Sequence, residues 1–225
     1  MTTIAVLGDR NLDYPTHQAL DAALGQLPAG VKGRWVPTDS ADAQRLEGFD
    51  GLWAAPGTPY RDDAAALAAI GAARAADLPF LGTCGGFQTA LVEFARNVAG
   101  IADAAHAESE PDAAELVVVP LACSLVGEQR TVTVVPGTRL AAIVGTEPFT
   151  GFHWCSYGLA DGFAERLAAH GLVVSAHARD AGVEAFELPD RRFFIATLFQ
   201  PQVGALTGEP LHPLIAAFCA AAAGR

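Results

Sequence analysis

Residues 79–88 read Pro79-Phe80-Leu81-Gly82-Thr83-Cys84-Gly85-Gly86-Phe87-Gln88, an apolar run that ends in a cysteine set between glycines and passes into a segment with helical spacing. The G-x-C-x-G arrangement from Gly82 to Gly86 is the thiol counterpart of a nucleophile elbow. In that turn the nucleophile sits where a strand bends sharply into a helix, and glycines flank it because the backbone crowds its neighbours. A cysteine at the start of a helix also gains from the positive end of the helix dipole, which favours thiolate over thiol. The same pattern fits a small core cysteine at a strand end, so the surroundings of the elbow have to decide.

Working outward, strands and helices alternate on the N-terminal side. Strands are expected at 4–7, 34–36, 51–55 and 78–83. Helical segments are expected at 15–27 (opened by Pro15), 40–46, 62–76 and, after Cys84, 87–98. This alternation predicts a mainly parallel sheet covered on both faces. The second half reads as strands at 115–121, 129–135, 173–178, 183–188 and 192–198 joined by turns such as Leu188-Pro189-Asp190, an antiparallel excursion. A last helix is expected at 212–223, with His212 as its cap and Pro213 in its first turn. No repeat or linker divides the chain, so one α/β domain over 1–225 is expected.

Composition narrows the partners. With 51% hydrophobic residues the chain can bury a sizeable core, and a formal net charge of −11 excludes the Lys/Arg clusters by which proteins hold nucleic acid or anionic membranes. A small-molecule ligand or substrate is the expected partner. The four cysteines, at 84, 123, 155 and 219, have no metal-type or CxxC spacing, and they read as free thiols of a reducing cytoplasm. The six histidines show no HxH or HxxxH pairing, so neither a metal nor another cofactor is expected. The N-terminus reads as a first strand rather than a signal peptide. No apolar run reaches the roughly 18–20 residues of a membrane span.

A second motif lies where an elbow would need it. Pro56-Gly57-Thr58-Pro59-Tyr60 follows the strand at 51–55, at the carboxyl end of a parallel strand, where open α/β sheets bind ligands. Its Gly57 N–H, with that of Gly85, can form an oxyanion hole. Alone, it reads as an ordinary strand-to-helix turn; beside the elbow it reads as part of the site. Asp9 and Arg10, just after the first strand, share that edge and read either as ligand contacts or as a surface ion pair.

The run Phe80-Leu81-Gly82-Thr83-Cys84-Gly85-Gly86-Phe87-Gln88, continued by Glu93-Phe94-Ala95-Arg96-Asn97-Val98, resembles the nucleophile segment of class I glutamine amidotransferases. Within them it is similar to the glutaminase domain of CTP synthase. The resemblance runs on to Phe199-Gln200-Pro201-Gln202 and Leu211-His212-Pro213-Leu214, nearly the whole chain. It implies a three-layer flavodoxin-like fold and glutamine hydrolysis through a thioester on Cys84, with oxyanion donors at Gly57 and Gly85. It also implies a pocket shaped by Pro56, Thr58, Gln88, Glu93, Cys155, Ser156 and Tyr157.

Two departures cut against that activity. The family's Phe-His-Pro-Glu, source of the general base and the carboxylate that orients it, is Phe199-Gln200-Pro201-Gln202 here. Amides do no acid–base work near neutral pH. The family's glutamine-holding arginine aligns with Ser156, which leaves no planar cation for a carboxylate. His153 can serve as a substitute base or be a structural histidine, and Cys155 can pair with Cys84 or be an inert thiol. Gln200 and Gln202 can bind an amide, carboxamide or nucleobase edge. Two functions follow as expectations: a Cys84-dependent amidohydrolase or amidotransferase-like enzyme acting on a substrate other than free glutamine, or an inactive small-molecule-binding or regulatory module. Either can form homo-oligomers or dock on a synthetase partner.

Overall fold

The computed structural model describes residues 1–224. Its first half alternates as β1 (Thr2–Leu7), α1 (Pro15–Leu24), β2 (Val31–Val36), β3 (Gly51–Ala54), α2 (Asp63–Ala75), β4 (Phe80–Thr83) and α3 (Gly85–Asn97). There follow β5 (Ala104–His106), β6 (Glu115–Pro120), β7 (Glu128–Val134), α4 (Arg139–Val144), β8 (Phe149–His153) and β9 (Tyr157–Leu159). The chain closes with α5 (Phe163–Ala168), β10 (Val173–Ala178), β11 (Gly182–Glu187), β12 (Phe194–Thr197) and α6 (Pro213–Ala222).

Nine strands form the central sheet in the order β2-β1-β3-β4-β12-β11-β10-β7-β8. Pairing is parallel from β2 through β12 and antiparallel from β12 to β8. A small second sheet has the order β5-β6-β9. This is the α/β architecture expected from the alternation, with the parallel half carrying Cys84.

Alternation along each central strand divides the core in two, because successive side chains leave opposite faces of a sheet. Leu7, Leu52, Phe80 and Phe194 join one apolar cluster, while Val6, Trp53, Leu81 and Ile195 join the other. The strands β3, β4 and β12 are buried on both faces, as parallel strands between helices must be. Phe80 stacks on Phe194 with ring centroids 4.3 Å apart. Helix α2 turns Ala65, Ala66, Ala69, Ile70 and Ala73 inward, small side chains that let it lie close on the sheet.

Several short elements escape sequence patterning: β5, α4, β8, β9 and α5. β8 carries Gly151 in its middle, a poor strand former on its own. A Cβ there would come within 2.8 Å of Val132 Cγ2 and 2.9 Å of Phe199 Cβ, so tertiary packing selects the glycine. Helix α1 ends at Leu24 rather than 27, with Gly25 as its cap and Pro28 just beyond. Helix α3 begins at Gly85 rather than 87, its two glycines being kept by contacts that leave no room for a side chain. His212 caps α6, its Nδ1 accepting the Leu214 N–H at 3.2 Å. Among the described residues no helix is long and apolar enough to cross a membrane.

Candidate functional site

Cys84 stands between β4 and α3 with φ 52° and ψ −105°, a backbone conformation that L residues seldom adopt. Its N–H donates to Thr197 O at 2.8 Å, which ties the turn to β12. The side chain is 5% exposed, and Sγ lies 3.6 Å from Trp154 O. Holding a non-glycine residue in such a conformation stores about 1–3 kcal/mol. Cys84→Gly is therefore expected to raise stability by about 1 kcal/mol, the remainder being offset by the freedom that glycine adds to the unfolded chain. Cys84→Ala should give no such gain. Urea unfolding of both variants checks this, and a Cys84→Gly midpoint at or below that of the parent would show an unstrained turn.

Facing the elbow is the loop after β3. Gly57 has φ 99°, which only glycine adopts readily, and a Cβ on Gly85 would come within 3.0 Å of Gly57 N. The two backbones therefore touch beside Cys84. Among the described residues neither the Gly57 nor the Gly85 N–H has a backbone acceptor.

His17 aims the Gly57 N–H. Its ring is 1% exposed, Nδ1 accepts the Asn11 N–H at 2.9 Å, and Nε2 lies 2.8 Å from Pro56 O. The neutral tautomer with a proton on Nε2 satisfies both bonds, and burial lowers the pKa in keeping with it. Because the carbonyl and N–H of a trans peptide point opposite ways, fixing Pro56 O on His17 turns the Gly57 N–H away from His17, toward the elbow. Sequence patterning gave this histidine no weight, since its partner lies 39 residues on.

A cleft of about 250 Å³ opens over Cys84. Pro56, Gly57, Thr58, Gln88, Cys155, Ser156 and Tyr157 line it, together with Tyr14, Thr16, Glu108, Val126 and Trp154, which sequence reasoning did not single out. Among the described residues Glu108 is the one charged side chain in this lining. It reaches the site from the polar connection after β5, a placement for which the sequence carries no local signal. Burial raises its pKa, and the Thr58 hydroxyl at 3.0 Å partly offsets that rise. Gln88 braces the wall: Oε1 lies 3.1 Å from the Thr58 hydroxyl and 3.2 Å from His106 Nε2, and Nε2 donates to Tyr157 O at 2.8 Å. Burial holds the His106 pKa down to about 4, so its ring stays neutral near pH 7. The Ser156 hydroxyl pairs with that of Ser124 at 2.9 Å.

Other candidate residues lie elsewhere. His153 is fully buried with Nε2 2.8 Å from Glu184 Oε1, and it is not part of the cleft lining. Glu93 is fully buried against Arg74 and Asn97. Five helical residues after Gln88 carry the chain about 140° round the axis, so the two side chains leave α3 on different faces. Gln200 and Gln202 are 3% and 1% exposed, and Gln202 Nε2 donates to Gln200 Oε1 at 2.8 Å. Asp9 accepts from the Thr38 and Arg61 N–H groups, and Arg10 pairs with Asp21 at 2.7 Å.

The model of the peptidase C26 family matches residues 54–202. The CTP synthase of Methanopyrus kandleri is 32% identical over 248 aligned residues, which cover 97% of this chain and 45% of that protein. The chain spans less than half the length of the curated relatives it matches most strongly. Among solved structures, the glutaminase domain of Trypanosoma brucei CTP synthase with bound acivicin superposes with a TM-score of 0.85 at 25% identity, over 100% of this chain and 95% of that one. A glutamine amidotransferase of Methylobacillus flagellatus shares the fold, with a TM-score of 0.60 at 14% identity over 89% of this chain and 70% of that one.

Proposed function

The chain belongs to the peptidase C26 family of class I glutamine amidotransferases, and from that premise we propose a Cys84-dependent amidohydrolase or amidotransferase-like activity on an amide other than free glutamine. One observation carries the reading. The Cys84 thiol and the unpaired N–H groups of Gly57 and Gly85 converge at a cleft whose charged lining is a single carboxylate.

In this reading the Cys84 sulfur attacks the amide carbon, and the oxygen takes up negative charge between the Gly57 and Gly85 N–H groups. The C–N bond then breaks, and the amine leaves with the proton that the thiol gives up. Water or an acceptor amine resolves the thioester. With amides at Gln200 and Gln202, no acid–base side chain occupies the family's positions, so activated acyl donors should react far faster than plain amides. Free glutamine fits poorly, because Ser156 offers its carboxylate no cation and Glu108 repels it. The ligand class favoured is an amide bearing an amine or hydrogen-bond donors toward Glu108. A partner chain carrying a synthetase activity, of the kind the CTP synthase relatives imply, would receive any ammonia released.

The test compares acylation of Cys84 by p-nitrophenyl acetate with alkylation by iodoacetamide, both followed by intact mass. Acylation develops an oxyanion and alkylation does not. His17→Leu should slow acylation about 100-fold, the usual cost of one misplaced oxyanion donor, and leave alkylation nearly unchanged. Equal slowing of both would reduce His17 to a packing role. No acyl adduct on a thiol that alkylates readily would overturn acyl transfer. The second reading, a binding or regulatory module, is favoured by Cys84 Sγ contacting the Trp154 carbonyl rather than an acid–base side chain. Ligand-dependent thermal shifts in the absence of acylation would select it.

A further inference from the structure

The second cysteine of the cleft has no part in acyl transfer. Cys155, in the connection between β8 and β9, is 6% exposed and lines the same cleft as Cys84. Cys84 Sγ already contacts the carbonyl of Trp154, the residue before Cys155. The other two thiols differ in kind: Cys123 is exposed and not part of this lining, and Cys219 is 1% exposed on the inward face of α6.

We propose that Cys84 and Cys155 are a redox pair that a hydroperoxide converts to an intramolecular disulfide, reversibly closing the cleft over the nucleophile. Cys84 caps the start of α3 and lines the open cleft, where a small oxidant can reach its sulfur. Its sulfur attacks the peroxide oxygen: an S–O bond forms, the O–O bond breaks, and the remaining half takes up the proton that the thiol gives up and leaves as an alcohol, or as water from hydrogen peroxide. Cys155 sulfur then attacks the Cys84 sulfenic sulfur. The S–S bond forms, the S–O bond breaks, and the hydroxyl leaves as water with the Cys155 proton. The two thiols give up two electrons in all, and the peroxide takes them.

The order of events follows from the surroundings. Hydrogen bonding to Cys84, first, and burial, second, push the Cys155 thiol up, so Cys155 stays protonated while Cys84 reacts. Once Cys84 carries a hydroxyl, its hydrogen bond with the Cys155 thiol is replaced, the larger of those two effects is removed, and Cys155 becomes the attacking group. The β4–α3 turn is held rigidly by its contacts with β3 and the Gly57 loop. Beyond the Cys84 contact, the Trp154–Ser156 segment at the rim is tied among the described residues only to the 121–125 connection, through the Leu121 and Leu125 N–H groups and the Ser124 hydroxyl, so it is the side that adjusts.

The experiment treats the full chain with hydrogen peroxide, blocks the remaining thiols with N-ethylmaleimide, and reads intact mass and a non-reducing peptide map. Expected are the loss of two hydrogen masses, loss of two of the four alkylatable thiols, and one cross-linked pair, Cys84 with Cys155, reversed by dithiothreitol. Cys155→Ser should instead accumulate Cys84 sulfenic acid, trapped by dimedone, and then sulfinic acid. Sulfinic acid on Cys84 of the parent without a cross-link, a cross-link to Cys123, or oxidation of Cys123 before Cys84 would each overturn the proposal. Because mass is the readout, the result is independent of whether the acyl-transfer reading holds.

Discussion

Gly86→Ala is expected to cost about 4 kcal/mol or more, in the range reserved for severe steric insults. A Cβ on Gly86 would collide with Ala54 O and lie 2.7 Å from both Ala54 C and Ala54 Cβ, atoms fixed by the backbone that cannot turn aside. To relieve them α3 must lift from the end of β3 by more than an ångström. That movement would drag Cys84 and Gly85 away from Gly57. Thermal unfolding should show Tm lower by on the order of 10 °C, or no folded protein at all. Ala54→Gly should not rescue the variant, because the carbonyl that blocks the methyl remains. A fall of less than about 2 °C in Gly86→Ala, equivalent to at most about 1 kcal/mol, would show that α3 is not fixed by this contact.

The second large effect comes from an ion pair between α2 and α3. Arg74 Nε and Nη2 reach Glu93 Oε2 and Oε1 at 2.9 and 2.7 Å, the carboxylate is fully buried, and Asn97 Nδ2 adds a third donor at 3.1 Å. Gly71 makes room for it, since a Cβ there would come within 2.9 Å of Glu93 Oε1. A glycine inside a helix costs roughly 1 kcal/mol against alanine, and the buried carboxylate is why it is kept. Arg74→Met strands that charge with one neutral donor and should cost about 3–5 kcal/mol. Arg74→Met with Glu93→Leu should recover most of the loss, because an apolar pair needs no desolvated charge. Denaturant unfolding of the single and double variants checks both. A loss below about 1 kcal/mol for Arg74→Met would mean that the pair behaves like an exposed one.

The two effects separate what could be read along the chain from what could not. The elbow is legible because its constraint is local: Gly82, Cys84 and Gly86 lie within one strand-to-helix turn, and crowding there leaves few alternatives. Parallel order is legible for a related reason, since strand–helix alternation with apolar runs leaves little choice of architecture. The loop at Pro56-Gly57 is legible as a glycine turn at a strand's carboxyl end. Its aim is not, because His17 acts on it from α1. Glu93 shows the converse, a residue whose place in a motif suggests the pocket while its helix angle turns it toward Arg74.

By itself, then, the sequence determined the α/β class, the strained cysteine turn and the amides at positions 200 and 202, because each is written in neighbouring residues and their periodicity. Only the tertiary structure decided which further side chains share the cleft: Glu108 enters it, while His153 turns to Glu184 and Glu93 to Arg74. Those assignments rest on contacts between residues far apart in the chain, which depend on sheet order and on the angle at which each side chain leaves its element. Neither is encoded in any single stretch of sequence.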